Sequence, residues 1–264
     1  MKKLIKNNAW GITLAFVVCL FWMLPASAQI VDSDGDGLSD SDEAVLYFTN
    51  IYNSDTDGDG FSDSTEIQSD HSPHKNNNAR LNENDYDGDG LNDWVELRWF
   101  QSSVGNVDSD MDTRTDFDEV MRGMSPTLTN TGTTTLFSRR IVVDRTNQKL
   151  DYLVDGIKIK SFPVSTGNPQ TPTPAGEFSI QRKREYVDYI GRDYSYPHIR
   201  WNMQFIPHYY IHTATWHNDF GKRTRSHGCV NMRQSDAEIL YKYVDVGVPV
   251  TVTGTTPARL FVGR

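Results

Sequence analysis

Between residues 32 and 119 one twelve-residue pattern occurs four times, starting at Asp32, Asp55, Asp85 and Asp108. Each copy has Asp at positions 1, 3, 5 and 9 and Glu at position 12. These are Asp32, Asp34, Asp36, Asp40 and Glu43, then Asp55, Asp57, Asp59, Asp63 and Glu66. The third and fourth copies give Asp85, Asp87, Asp89, Asp93 and Glu96, then Asp108, Asp110, Asp112, Asp116 and Glu119. Five carboxylates in twelve residues repel one another, so such a loop is compact only with a counter-ion among them. Calcium suits the spacing. It takes six to eight oxygens, which alternate Asp residues, a position-7 carbonyl and a bidentate Glu supply.

Gly37, Gly60 and Gly90 stand at position 6, where the chain has to turn sharply. The fourth copy has Thr113 there and Arg114 after it, which predicts the weakest binding or none. A solvated acidic linker is the bland alternative, and four in-register copies with Glu at the right offset argue against it. Apolar runs at residues 44–48 and 94–97 predict short helices that pack the loops together. The loops resemble EF-hand-like and thrombospondin type 3 calcium repeats of secreted bacterial proteins. All twenty template carboxylates are then ligands of a structural Ca2+, with none left for acid–base work.

Charge divides the chain. Residues 29–128 carry 24 acidic against 5 basic side chains, and residues 129–264 carry 11 against 18. The reversal falls in a stretch of turn residues and predicts a boundary. The expected organisation is a signal peptide at 1–28, a calcium-repeat module at 29–128, a linker at 129–136, a catalytic domain at 137–254 and a tail at 255–264. Lys2, Lys3 and Lys6, an apolar run at 12–24 and Ala26-Ser27-Ala28 read as a cleaved export signal, with a retained anchor helix as the alternative. The mature protein is then exported to periplasm or cell wall without a stable membrane anchor, and Cys229 is its single cysteine, with Cys19 inside the signal. That excludes an internal disulfide. Nothing points to a nucleic-acid partner.

The basic half reads as β-rich. Residues 140–144 and 149–154 flank a polar turn, a second turn at Asp155-Gly156 leads into 157–164, and further strands fall at 177–182, 209–213 and 248–253. One helix is expected at 236–244, with Ser235 as N-cap and Glu238 completing a capping box. A mainly β sandwich or barrel with one or two helices follows, preceded by a loop module with short helices.

Chemistry concentrates at Ile211-His212-Thr213-Ala214-Thr215-Trp216 and Arg225-Ser226-His227-Gly228-Cys229-Val230-Asn231-Met232. A cysteine becomes a strong nucleophile when an imidazole or positive field favours its thiolate. Amides around Gly228 and Cys229 suit an oxyanion hole, and Arg223, Arg225 and Arg233 add positive potential. An inert packed cysteine and a zinc site of Cys229, His227 and His212 are the competing readings; the flanking His-Gly speaks against the first, and the second lacks a further ligand. His198, His208 and His217 read as surface or groove-lining residues, and Trp201, Tyr209, Tyr210 and Trp216 as core or cleft wall.

The Ser226-to-Asn231 element, the upstream Ile211-His212 and the stretch 171–178 resemble the L,D-transpeptidase catalytic domain, the YkuD-like family, over about 137–254. The resemblance implies that Cys229 is the nucleophile and His212 the general base, oriented through Thr213. It implies that His227 and Gly228 shape the oxyanion pocket, that Ser226 and Asn231 hold the loop, and that no metal serves catalysis. The substrate implied is the peptidoglycan stem peptide, acylated on Cys229 and passed to an amine in a 3-3 crosslink. Thr213-Ala214 departs from the family's common His-Gly-Thr, which leaves the contacts of that wall open. An L,D-carboxypeptidase using water and a calcium-dependent wall-binding protein with an inactive domain are the alternatives.

Overall fold

The computed structural model describes residues 30–129, 136–191 and 194–257. The expected signal peptide with Cys19, most of the linker and the end of the tail lie outside these described residues.

Each acidic loop runs into a short helix for a local reason. Position 8 is Ser39, Ser62, Asn92 or Thr115, and in every copy this extended residue accepts a hydrogen bond from the amide three positions on. The helices that follow are α1 (Asp40–Asp42), α2 (Asp63–Gln68), α3 (Asp93–Val95) and α4 (Asp116–Arg122). After α1 and α3 the chain widens into π-helical turns, Glu43–Tyr47 and Glu96–Phe100, each ending in a left-handed residue, Phe48 or Gln101.

The copies are organised as two pairs. Asp32 and Asp85 are 53 positions apart, and so are Asp55 and Asp108. Within each pair the loops interlock by one equivalent bond: Asp36 Oδ2 accepts from Ser64 N (2.9 Å), and Asp89 Oδ2 from Phe117 N (2.7 Å). In the fourth loop Thr113 and Met111 take the positive-φ positions that glycines occupy elsewhere (φ 85° and 60°), and the loop keeps the same frame. Arg114 turns its guanidinium away, onto Met124 Sδ.

The second half is a two-sheet sandwich. Its strands are β1 (Arg139–Asp144), β2 (Lys149–Val154), β3 (Ile157–Pro163), β4 (Gly176–Ser179), β5 (Arg182–Ile190), β6 (Ser195–Ile206), β7 (Tyr209–Thr213), β8 (Val230–Met232) and β9 (Pro249–Thr253). One sheet has the order β3-β2-β1-β9-β4 and the other β5-β6-β7-β8. The β1–β9 and β7–β8 pairs are parallel and the rest antiparallel. Strict alternation of buried residues along β2 shows why the sequence reads as strand there. Ile141, Val143, Leu150 and Tyr152 meet Met203, Phe205, Ile211 and Met232 in the core.

The long β5–β6 hairpin and β8 had no clear period-two signal, and the expected strand at 177–182 is split between β4 and β5. Helix α5 (Gln234–Tyr243) starts earlier than expected. Arg233, already extended as the chain leaves β8, is the cap residue, so Ser235 is helical and no capping box with Glu238 forms. Ala237, Leu240 and Tyr243 are its buried face.

The two halves share one apolar core. Leu91, Val95, Phe100, Val120 and Met121 belong to the same buried cluster as Ile141 and Tyr152. Tyr152 Oη donates to the Met121 carbonyl (2.8 Å), and the amides of Leu136 and Phe137 both donate to the Gly123 carbonyl. Asp118 accepts from Lys242 Nζ (2.8 Å) and Tyr243 Oη (3.1 Å), and the Lys160 ammonium sits over the Phe117 ring.

Candidate active site

The cleft is built where β7 and β8 run parallel. His212 is the register partner of Asn231, and alternation puts Cys229, two residues before Asn231, on the same face. Cys229, His212, Asn231, Ser226, His227, Arg225 and Trp216 all line one open cleft of about 450 Å³. Cys229 is half-buried as a residue and lines this cleft.

His212 is fully packed. Its Nδ1 lies 2.8 Å from the Thr213 carbonyl, which accepts only, so Nδ1 carries the proton and Nε2 is left as the basic nitrogen. Tyr189 stacks on the ring at 4.7 Å. Burial lowers the His212 pKa to about 4, against the Thr213 bond that raises it. Burial likewise pushes the Cys229 thiol up to about 11, opposed by the Tyr210 backbone N–H that donates to the sulfur. The resting pair is therefore neutral thiol beside neutral imidazole. A standing thiolate, the form on which a strong nucleophile was expected to rest, is not favoured in the free site.

The turn holding Cys229 is tied by Ser226, whose Oγ donates to the Cys229 carbonyl (2.5 Å) and accepts from the Gly228 amide (3.0 Å). That second bond corrects one expectation. The Gly228 N–H is already committed and is not an oxyanion donor here. Gly228 is required for space and backbone together: it has φ 117°, and a Cβ would run into the Tyr209 ring. His227 is exposed at the rim, its ring stacked on Tyr194 at 5.4 Å, and so forms cleft wall rather than an oxyanion pocket.

The positive field is weaker than the sequence suggests. The Arg225 guanidinium pairs with Asp219 at 2.5 Å, and Arg233 faces Asp236 at 3.7 Å while lying over Phe220. Asn231, expected to hold the loop, instead meets His217 (Nδ2 to Nε2, 3.1 Å). The opposite wall, missed in the sequence, is aromatic: Tyr189, Tyr194 and Tyr196 come from the β5–β6 hairpin, and Trp216 stacks flat on Tyr196 at 4.0 Å. Its only signal was the density of tyrosines over residues 186–196. Trp201 lies elsewhere, packed between Arg200 and Tyr241, while Tyr210 buttresses Tyr189.

Residues 138–252 match the model of the L,D-transpeptidase catalytic domain (YkuD), and residues 32–46 and 55–72 match the bacterial TSP3 repeat. The C-terminal half is a YkuD-type L,D-transpeptidase domain. L,D-transpeptidase 1 of Mycobacterium tuberculosis is 31% identical over 111 residues, 38% of this chain and 44% of that protein. L,D-transpeptidase 2 of the same species is 29% identical over 128 residues, 44% and 31% respectively. The chain thus spans less than half the length of the curated relatives it matches. Among solved structures, an L,D-transpeptidase from Mycobacterium smegmatis is 27% identical over 44% of this chain and 59% of that one, with a TM-score of 0.42. An Enterococcus faecium L,D-transpeptidase variant is 32% identical over 44% and 50%, with a TM-score of 0.41.

Ahead of the L,D-transpeptidase domain, each TSP3-like loop brings one oxygen of positions 1, 3 and 5 within 4.8 Å of the others. Position 9 does not join them. Asp40, Asp63, Asp93 and Asp116 instead accept from the amide at position 2, at 2.7 to 2.9 Å, and so close the loop. This gives the four Asp residues a loop-closing role.

The donor set fits a hard cation. A buried oxygen without a hydrogen-bond partner recurs at position 3, on Asp34, Asp57, Asp87 and Asp110, and at position 12 on Glu43, Glu66 and Glu96. Glu119 is equally buried. Burial, then the surrounding aspartates, raise Glu66 to about 8 and Glu96 to about 10. Such carboxylates are stable in ionised form only beside a cation. Among the described residues, no helix is long and apolar enough to cross a membrane.

Proposed function

We propose that the chain is an exported cysteine acyltransferase that acts on peptidoglycan stem peptides through a Cys229 thioester and forms 3-3 crosslinks. The observation that carries this reading is His212 pinned through Nδ1 to the Thr213 carbonyl, with its basic Nε2 in the same cleft as a half-buried Cys229.

The neutral pair dictates the order of events. As Sγ bonds to the stem carbonyl carbon, the thiol proton passes to His212 Nε2, so base and nucleophile act in one step. The Tyr210 N–H steadies the sulfur, and the amide of Cys229 itself would serve as a donor to the developing oxyanion. When the carbon–nitrogen bond breaks, the imidazolium returns its proton to the departing amine. An acceptor amine then attacks the thioester, gives its proton to His212, and the sulfur leaves as thiol. The aromatic wall of Tyr189, Tyr194, Tyr196 and Trp216 limits water around this intermediate, which favours an amine acceptor.

The Asp residues at positions 1, 3 and 5 and the Glu at 12 would hold Ca2+ in each loop as a structural ion, with no part in the transfer. Incubation of the protein with disaccharide-tetrapeptide, read by mass spectrometry, should give crosslinked dimers that Cys229→Ala no longer forms. Tripeptide without dimer would mark the water-using carboxypeptidase. Unaltered muropeptides with retained wall binding would leave the calcium-dependent binding protein.

A further inference from the structure

Asn202 is fully buried in β6 and does not line the cleft, yet both ends of its amide are bonded. Its Nδ2 donates to the Ile199 carbonyl (2.7 Å) and reaches the Arg184 carbonyl (3.3 Å), while Oδ1 lies 2.8 Å from Tyr189 Oη. Carbonyls only accept, so the amide has one orientation, with its NH2 toward Ile199 and Arg184 and Oδ1 toward the phenol. The Tyr189 hydroxyl must then donate, and its proton is committed to Asn202. Regular strand pairing does not place the Tyr189 ring. The β5–β6 ladder slips in register between Val187 and Tyr189, and His198 and Trp201 on the facing stretch of β6 take positive φ (56° and 58°). The Asn202 amide ties both strands together at that irregularity.

We propose that Asn202 is a positioning residue: it anchors the Tyr189 hydroxyl and so holds that ring over the His212 imidazole, which keeps water off the base. The inference deepens the acyltransferase reading and rests on it for the role of His212. The two rings lie 4.7 Å apart and within 25° of parallel, and Tyr210 meets the Tyr189 ring edge-on at 5.7 Å. Burial is the largest cause of the low His212 pKa of about 4, and the Tyr189 ring is packed on the imidazole face. The titratable groups around the imidazole are Tyr189 from β5, His217 from the segment after β7, and Cys229, His227 and Arg225 in the shared cleft. His217 adds a smaller downward push, and the Tyr189 phenol, raised by burial, stays neutral.

Two measurements on the full-length protein test the anchor. In NMR titration of histidine-labelled protein, with the His212 signal assigned by its loss in His212→Gln, the wild-type midpoint should lie near 4. Asn202→Leu, which removes the anchor at similar volume, should raise that midpoint by about one unit or more, toward the ordinary value near 6.5. Tyr189→Leu should raise it at least as far, and adding Asn202→Leu to Tyr189→Leu should raise it no further. In crosslinking assays on tetrapeptide donor, Asn202→Leu should lose about tenfold more kcat/KM than wild type between pH 8 and pH 5, because its base is protonated over that range. A His212 midpoint that stays near 4 in Asn202→Leu overturns the positioning role with the acyltransferase intact, as does an equal further shift in the double variant. Should Asn202→Leu not fold, Tyr189→Phe, which keeps the ring and loses the bond, decides in the same way. A wild-type protein inert toward tetrapeptide defeats the acyltransferase reading instead, while the midpoint still decides the anchor.

Discussion

The acidic module and the sandwich both bury polar groups, and they satisfy them in opposite ways. In the sandwich site His212, Ser226 and Gly228 each meet a neutral partner on the chain itself. In the module Glu43, Glu66 and Glu96 are buried among other carboxylates and keep oxygens that no donor reaches. The buried oxygens of the module thus call for a cation. The contrast does not follow the domain boundary cleanly, because α4 of the fourth loop is packed into the sandwich core through Val120 and Met121. The second loop pair therefore shares its core with the sandwich.

The largest effect should come from chelation. With free calcium a thousandfold above Kd, binding contributes about 4 kcal/mol per site, so EDTA should sharply lower the module's own melting transition. The same treatment should lower the sandwich transition by several degrees, through α4. A sandwich transition that stays fixed would make the two halves independent.

Met121→Ala, which opens a cavity in the shared core, should destabilise the sandwich by about 2–5 kcal/mol. Ile67→Ala, equally buried but in the first pair, should leave the sandwich transition where it is. Calorimetry on the calcium-loaded protein would show whether the two positions differ.

Proton dependence should reverse between the acidic loops and the seam that joins them to the sandwich. Burial and neighbouring aspartates raise Asp87 to about 7, Glu66 to about 8 and Glu96 to about 10. An acid whose folded pKa is raised contributes stability that is full below its unfolded value near 4 and is lost as pH rises through the folded value. The cation-free module should therefore melt progressively lower from pH 5 to pH 9. Asp118 behaves oppositely: burial would raise it, but bonds from Arg122, Lys242 and Tyr243 outweigh this and hold it near 2. Its contribution is present above about 4 and fades only below pH 3. A chelated module that gains stability toward pH 9 would contradict the assignment.

The smallest effect concerns the fourth loop. Thr113→Gly relieves a β-branched residue at φ 85° and should stabilise calcium-loaded protein by about 1–2 kcal/mol. Isothermal titration would show this as tighter binding at one site, the others unchanged.

Much of this was legible beforehand because it is local. Asp at 1, 3 and 5, the hairpin of β1 and β2, and the Ser226-to-Asn231 turn each depend on residues a few positions apart, so spacing alone implies geometry. Position 9 shows the limit of such reading: twelve letters do not show that Asp40 and its equivalents also accept from position 2. The tyrosine wall, the pairing of Arg225 with Asp219 and the occupied Gly228 amide were not legible, since their partners are brought together by folding or by a choice between competing acceptors.

The sequence by itself determined the loop chemistry, the cysteine at 229 and the imidazole at 212, because composition and short-range spacing carry those. Tertiary structure alone decided that thiol and imidazole rest neutral, since desolvation depends on what surrounds a group. It also decided that the second loop pair shares a core with the sandwich, since apolar residues such as Met121 and Tyr152 do not announce which distant partner they will exclude water with.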